Sequence, residues 1–95
     1  MPAFVYILAS ASGNALYVGC TTDLRRRLEQ HRAGAADAHT RRYRINRLVW
    51  FEGHEELSEA QARERRLKRW RRAWKEALIA EVNPEWRDLA AEVPL

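Results

Sequence analysis

Four polar side chains that lie far apart in the chain form a set that could act on a phosphodiester bond: Tyr6, Tyr17, Arg27 and Glu64. Cleavage of that bond needs a group that positions or activates water, a cation that stabilises the developing charge, and usually a metal. A tyrosine with a pKa near 10 is a poor base at neutral pH, so it would need a neighbouring cation or a metal-bound hydroxide. Arginine offers two N–H donors to phosphate oxygens, and a single carboxylate suits Mg²⁺ or Mn²⁺. We therefore expect weak metal binding in the absence of nucleic acid.

The two tyrosines lie in short apolar segments that predict a β-hairpin. The segments VYIL and LYVG around them are rich in β-branched and aromatic residues, and turn-forming residues separate them. A loop of about four residues centred between Ala11 and Ser12 would pair Tyr6 directly with Tyr17, with Cβ atoms roughly 5 Å apart. Two phenols side by side in a sheet are explained by packing as well as by chemistry.

A helix is predicted after the hairpin, with Thr21 or Thr22 as its N-cap and Gly34 as its stop signal. Arg27 and His31 are one turn apart on the edge of its apolar stripe, so they point together towards the surface on which the helix packs. For Arg27 taken alone, the alternative is a solvated arginine in a basic run.

A basic loop and a third strand are predicted next. Residues 35–44 have little periodicity, which predicts a surface loop, and their basic side chains include Arg41, Arg42 and Arg44. The following segment LVWF is apolar on both faces, which predicts a strand that is covered on both sides and ends at Gly53. The chain then has three strands, and the helix between the second and third is long enough to cross over the sheet.

A second helix is predicted from Ser58, which forms a capping-box pattern with Gln61. Glu64 falls on the apolar side of this helix. A carboxylate at such a position must be paired, hydrogen-bonded, protonated or bound to a metal, because leaving it bare costs several kcal/mol. The alternative to a metal site is a buried salt bridge, for example to Arg27.

Residues 63–75 contain eight basic residues and one acid. Closely spaced arginines suit phosphate oxygens, whereas a solvated face is the alternative explanation. The residues of this segment expected to contact a nucleic-acid backbone are Arg65, Lys68, Arg69 and Arg72. Trp70 and Trp74 are expected to be packing anchors, because Trp at this spacing is more often core than a base-stacking platform. The helical pattern continues over residues 77–79 as a third helix after a bend.

Length and composition exclude several classes of protein. Ninety-five residues predict a single domain over residues 1–95. A net charge of +4 and a pI near 9.8 are a mild sign of an anionic partner. No apolar run approaches the roughly 20 residues that span a bilayer, and no signal-peptide pattern opens the chain. The lone Cys20 fits a reducing compartment. We expect a cytoplasmic protein without membrane contact, either a monomer or a weak homodimer.

Together these motifs resemble the GIY-YIG nuclease superfamily, and specifically its small single-domain bacterial branch. The two triplets that name the superfamily are present as FVY, residues 4–6, and YVG, residues 17–19. The other matching positions are Thr21, Asp23, Leu24, Arg27, His31, Glu64 and the segment NPEWRDL, residues 83–89. Both tyrosine triplets, followed by a helical arginine and a glutamate in the second helix, form a specific signature. It covers nearly the whole chain, with a domain core over about residues 3–89.

The resemblance implies an α+β fold in which helices flank a three-stranded antiparallel sheet in the order β-β-α-β-α-α. It also implies cleavage of DNA, or alternatively RNA, with Mg²⁺ or Mn²⁺ as cofactor. Tyr6 and Tyr17 would position or activate the attacking water. Arg27 would contact the scissile phosphate with His31 nearby, and Glu64 would be the only protein carboxylate on the metal.

Three further points follow from the resemblance. The first triplet lacks its glycine, and Cys20 fills a position where some relatives carry a lysine near the active site, which would lower activity. Asn83 would support the site. No attached DNA-binding domain fits into 95 residues, so we expect low sequence specificity and recognition of DNA structure or damage, as in repair.

Two alternatives to a metal-dependent endonuclease stay open. One is a nucleic-acid-binding module that keeps the fold and the basic surface but cleaves little or nothing. The other is a protein-interaction domain with structural tyrosines. The presence of all four side chains of the set argues against a decayed site, because drift would be expected to damage at least one of them.

Overall fold

The computed structural model describes residues 1–34 and 42–94 of the chain. Its three strands are β1 (Ala3–Ser10), β2 (Leu16–Thr21) and β3 (Ile45–His54). Within residues 1–34 and 42–94, the bounded helices are α1 (Leu24–Arg32), α2 (Leu57–Arg69) and α3 (Arg72–Val82), and a 3-10 turn follows at Ala90–Glu92. The strands form one antiparallel sheet in the order β2-β1-β3. This arrangement confirms the expected α+β fold and the order β-β-α-β-α-α.

The central strand β1 is buried on both faces, and its alternating side chains contribute to two separate cores. Val5 and Ile7 point to the face covered by α2 and α3, where they pack with Leu67 and Ile79. Tyr6 points to the opposite face, in the core that also contains side chains of α1 and β3. Within the described residues, no helix is long and apolar enough to cross a membrane.

The hairpin between β1 and β2 forms as predicted, but with a different register. Tyr6 lies opposite Gly19, and Tyr17 lies opposite Leu8, because the loop is centred one residue later than expected. Direct pairing of the two tyrosines was therefore a wrong prediction. A shift of two positions keeps each side chain on its face, so the phenols remain diagonal neighbours.

Helix α1 is capped by Asp23, and not by either of the two threonines predicted for that role. The Asp23 side chain accepts a hydrogen bond from the backbone N–H of Arg26 at 3.1 Å. Thr21 contributes two positions earlier, since its hydroxyl accepts from the Asp23 N–H at 3.0 Å. Gly34, with a φ of 76°, follows the last turn of the helix and confirms the stop signal.

Strand β3 is longer than the apolar segment that predicted it. It runs to His54, and Gly53 lies within it opposite Phe4, so Gly53 does not end the strand. The predicted loop residues 35–41, including Arg41, lie outside the described part of the chain.

The two helices of the other face differ from prediction at three points. Helix α2 begins at Leu57 and has no side-chain cap, so Ser58 lies inside the helix and the predicted capping box does not form. The bend lies at Trp70 and Arg71, which have extended backbones, well before residue 77. Trp70 packs against the core as predicted, but Trp74 is 52% exposed and is not a packing anchor.

Candidate active site

Two phenols and an imidazole meet on the face of the sheet that α1 covers. The Tyr6 hydroxyl lies 3.2 Å from Nε2 of His31, at hydrogen-bonding distance. The ring of His31 lies edge-on to both tyrosines, with centroids 6.0 Å from Tyr6 and 5.2 Å from Tyr17, and the two phenol rings are 6.3 Å apart. Three of the residues predicted for the site, one each from β1, β2 and α1, therefore lie together.

Gly19 leaves the space that the Tyr6 side chain occupies. A Cβ at position 19 would lie 2.9 Å from Cε1 of Tyr6 and closer still to its hydroxyl, which real side chains do not tolerate. The phenol therefore passes over the backbone of β2, which is one of the two edge strands of the sheet. This contact gives a physical reason for the glycine that ends the second tyrosine triplet.

Tyr6 and His31 are buried, with only 1% and 4% of their surfaces exposed, whereas Tyr17 is half-buried. Burial is the largest cause that raises the pKa of Tyr6 above its usual range, followed by the neighbouring Tyr17 phenol. The guanidinium of Arg27 lowers this pKa, but not enough to compensate. Tyr6 is consequently a neutral phenol at physiological pH, suited to hydrogen bonding and not to acting as a ready-made phenolate.

Arg27 lies on the same side of α1 as His31 and is half-buried. Its charge acts on the Tyr6 phenol, so the two groups are close enough to share a site. A surface cavity of about 190 Å³ adjoins the guanidinium and is lined by Thr21, Thr22, Asp23, Arg26, Arg27 and Gln30. No carboxylate of the described residues pairs with Arg27, which leaves its donors available for an anion.

Glu64 approaches the same region from α2, on the opposite face of the sheet. Its side chain is 21% exposed and pairs with the ammonium of Lys68, one turn further along the helix, at 3.1 Å. The carboxylate also lies near Cys20: burial first, and then Glu64, raise the pKa of that thiol, while Lys68 lowers it. The expected alternative partner, Arg27, does not form the salt bridge.

The two halves of the site meet across the outer strand β2. Tyr17 and Gly19 face α1, whereas Cys20 belongs to the core beneath α2. The charge of Glu64 nevertheless acts on the Tyr6 phenol, because the phenol extends over Gly19 towards this strand. The structure thus places Tyr6, Tyr17 and His31 in contact, and the charges of Arg27 and Glu64 act on the Tyr6 phenol from the two helices.

The residues around Glu64 fit a weakly held Mg²⁺ or Mn²⁺ ion better than a preformed metal cage. Among residues 1–34 and 42–94, no group of three or more His, Cys, Asp or Glu side chains could hold a metal. A partly exposed carboxylate with a surface ammonium as its partner can exchange that partner for a hydrated cation. Mg²⁺ characteristically uses one or two carboxylates, several waters and substrate phosphate oxygens.

The predicted nucleic-acid contacts differ in their surroundings. Arg42, Arg44, Arg65 and Arg69 are exposed. Lys68 is engaged with Glu64, and Arg72 pairs with Glu76 at 3.0 Å. Arg72 also donates to the backbone carbonyl oxygens of Asn14, at 2.6 Å, and Gly13, so it secures the β1–β2 loop.

Asn83 lies away from this cluster, at the end of α3. It is 1% exposed, and its Nδ2 donates to the carbonyl oxygens of Val49, at 3.1 Å, and Arg87, at 2.9 Å. Its Oδ1 accepts from the Arg87 N–H at 3.0 Å. Val49 belongs to the core beneath α2 and α3, on the face of the sheet opposite Tyr6, so Asn83 fixes the C-terminal segment to the other face from the phenols.

Sequence reasoning missed two contributors to the site. The need for Gly19 follows from the path of the Tyr6 side chain, which depends on the observed register. Lys68 was assigned to nucleic-acid binding, although its position one turn after Glu64 is a recognisable ion-pair spacing.

This geometry agrees with the family to which the chain belongs. The sequence model of the GIY-YIG catalytic domain matches residues 2–77, so the protein is a member of the GIY-YIG family. That domain is a nuclease domain, which points to endonuclease activity on nucleic acid.

Within the family, the chain is similar to proteins named UPF0213. It is 37% identical over 79 residues to a UPF0213 protein of Streptococcus pneumoniae, covering 83% of this chain and 79% of the relative. It is 38% identical over 78 residues to one of Haloquadratum walsbyi, covering 82% and 86%. The solution NMR structure of the UPF0213 protein BH0048 from Bacillus halodurans has the same fold, with a TM-score of 0.59 at 32% identity and 93% of each chain covered.

Proposed function

We propose that this protein is a divalent-metal-dependent endonuclease that hydrolyses phosphodiester bonds in DNA with low sequence specificity. The single observation that carries the proposal is that groups from three other elements act on the Tyr6 phenol of β1. Tyr17 comes from β2, Arg27 from α1 and Glu64 from α2. A purely structural tyrosine pair would not require an arginine and an acid beside it.

Arg27 is the group that binds the scissile phosphate. Its guanidinium can donate two hydrogen bonds to non-bridging oxygens and stabilise the charge that grows on them. The adjoining cavity offers room for the phosphate at the junction of β2 and α1. Tyr17 is the phenol nearer to solvent, and it holds the attacking water beside that phosphate.

Tyr6 and His31 act together behind Tyr17. Because the raised pKa of Tyr6 disfavours a phenolate, the Tyr6 hydroxyl relays a proton and does not remain ionised. Its oxygen takes a proton from water while its own proton moves to Nε2 of His31, 3.2 Å away. The buried imidazole thereby accepts the proton of the attacking water. As the water oxygen bonds to phosphorus, the bond to the leaving sugar oxygen breaks, and that oxygen takes a proton from solvent.

Glu64 is the residue that would hold the metal. A Mg²⁺ or Mn²⁺ ion at this carboxylate would supply Lewis-acid stabilisation of the phosphate and a more acidic bound water. The carboxylate must first leave Lys68, and the exposed ammonium is then able to contact the phosphate.

The exposed arginines of α2 and of residues 42–44 bind the phosphate backbone of the DNA. Contacts to phosphates carry no sequence information by themselves. Recognition therefore rests on the structure of the DNA, such as a branch or a lesion, which suits a function in repair. A nucleic-acid-binding module with little cleavage is the second candidate, because Tyr6 is almost fully buried and Glu64 is occupied by Lys68.

The deciding experiment is nicking of supercoiled plasmid by the wild type, Glu64→Gln and Glu59→Gln in the presence of Mg²⁺ or Mn²⁺. Glu59 is an exposed acid of the same helix, so its variant makes the same change of charge away from the site. We expect Glu64→Gln to lose about 100-fold or more of the activity, as removal of a metal ligand does, and Glu59→Gln to keep it. Equal nicking by all three proteins would refute the proposal, and metal-independent binding without any nicking would favour the second candidate.

A further inference from the structure

Trp74 is a large aromatic side chain on the surface of α3. It is 52% exposed, whereas the other tryptophans of the chain are buried or half-buried. The described core does not include it. Its indole is therefore accessible to a partner, and its neighbours decide which partner it suits.

The indole of Trp74 is supported from below. Trp70 meets it edge-to-face, with ring centroids 6.1 Å apart and planes at 84°. Trp70 itself packs against the core and lies 5.4 Å beneath the guanidinium of Arg63, which also covers Trp50. The bend between α2 and α3 places the two indoles side by side, so Trp74 stands on a fixed base.

The surroundings of Trp74 are strongly basic. The Arg71 guanidinium lies 5.5 Å from the centroid of its ring. Within the described residues, neither Arg71 nor the neighbouring Arg66 and Arg69 is paired with a carboxylate, because the nearby acids Glu64 and Glu76 pair with other cations. Such a patch is complementary to a polyanion, and an aromatic ring among arginines is the combination with which proteins bind single-stranded nucleic acid.

We propose that Trp74 and Arg71 form a stacking platform for an unpaired base of a nucleic-acid strand. The indole stacks on the base, and Arg71 contacts the adjoining phosphate. This inference rests on the proposed function and specifies its substrate class, which is nucleic acid with a single-stranded segment beside the cleaved bond. Trp70, against which Trp74 packs, follows Glu64 by six positions, a rise of about 9 Å along a helix.

The test is the binding of fluorescein-labelled (dT)12 and of a 12-base-pair duplex in EDTA, followed by fluorescence anisotropy. The wild type is compared with Trp74→Ala, Trp74→Phe and Val82→Ala, since Val82 is an exposed apolar residue of the same helix. One stacked base is worth about 1–3 kcal/mol, so Trp74→Ala should weaken (dT)12 binding on the order of 10-fold or more. Trp74→Phe should keep most of the affinity, and Val82→Ala all of it.

Duplex binding should change by less than about twofold in Trp74→Ala, because paired bases offer no face to the indole. Unchanged (dT)12 affinity in Trp74→Ala would overturn the inference and favour a protein partner for the indole. An equal loss of affinity for (dT)12 and for the duplex would also overturn it. A second variant, Arg71→Met, should reduce the salt dependence of (dT)12 binding by about one phosphate contact. Circular dichroism of each variant verifies that it is folded.

The nicking assay separates this inference from the proposed function. If the wild type nicks plasmid in a manner that depends on Glu64, while Trp74→Ala binds (dT)12 normally, only the platform is refuted. If no Glu64-dependent nicking occurs but Trp74→Ala loses (dT)12 binding, the platform is retained and the endonuclease proposal fails.

Discussion

The phenol of Tyr6 crosses over Gly19 on the neighbouring strand, in the space that any other residue would fill with its own Cβ. Through this contact a side chain from the centre of the sheet reaches the outer strand, where the groups of α1 and α2 meet. Gly19, the residue opposite Tyr6, is therefore as much a part of the candidate site as Tyr6 itself.

Substitution of Gly19 by alanine should displace Tyr6. The added methyl group overlaps the phenol, so we expect a loss of about 1–3 kcal/mol in the free energy of unfolding and a clear loss of nicking. Gly53→Ala is the matched control, because a Cβ there would lie 3.6 Å from Cε1 of Phe4, an ordinary contact. Urea unfolding and plasmid nicking measure both effects, and a Gly19→Ala protein as stable and active as Gly53→Ala would contradict the described path of Tyr6.

The raised pKa of Tyr6 predicts a loss of stability in alkali. Tyr6 stays protonated in the folded chain while it ionises near pH 10 when unfolded, so its contribution is present below pH 10 and is lost as the pH rises above that value. Between pH 10 and pH 11 the wild type should lose about 1 kcal/mol more than Tyr6→Phe.

Absorbance at 295 nm provides an independent measure of the same group. Up to pH 11, the folded wild type and folded Tyr6→Phe should show the same tyrosinate signal, since Tyr6 does not ionise in that range. A smaller signal in Tyr6→Phe would mean that Tyr6 titrates normally and that its burial is incorrect.

Removal of the Lys68 ammonium should strengthen metal binding in the absence of DNA. Lys68 competes for Glu64 and repels a divalent cation, and an ion pair at this spacing is worth about 0.5 kcal/mol. We expect Mn²⁺ to bind Lys68→Met about 2- to 5-fold more tightly than the wild type, as measured by electron paramagnetic resonance. Lys75→Met is the control for the loss of one positive charge, and equal affinities in the two variants would exclude competition at Glu64.

Asn83 should be necessary for stability and dispensable for chemistry. Its amide makes three hydrogen bonds with Val49 and Arg87 in a buried position. Asn83→Ala leaves those backbone groups unpaired, so the free energy of unfolding should fall by about 3 kcal/mol or more. Nicking per folded molecule, measured well below the melting temperature, should match the wild type; lost activity at unchanged stability would place Asn83 in the site.

The sequence predicted the elements of the site better than their mutual positions. The β-branched and aromatic composition and the turn residues were sufficient to predict β1 and β2, but the loop centre was ambiguous by one residue, which moves the register by two. The tyrosines remained on one face only because that error is even. The need for a glycine opposite Tyr6 depends on the true register and could not be derived before it was known.

The surface of α2 and α3 was the least predictable part of the described chain. Helical spacing alone does not reveal that the chain extends at Trp70 and Arg71, and this bend rotates the following residues relative to the core. A tryptophan that a continuous helix would bury, Trp74, is therefore exposed. Similarly, the sequence assigned Glu64 to the inner side of its helix but did not predict its salt bridge. Glu64 pairs with Lys68 and not with Arg27 because their helices cover opposite faces of the sheet.

The position of β2 at the margin of the sheet has a consequence for assembly. A strand from another molecule that paired with the open edge of β2 would lie beside the strand that carries Tyr17 and Gly19. We expect dimerisation through this edge to hinder access to the candidate site, whereas pairing along β3 would occur at the opposite edge of the sheet.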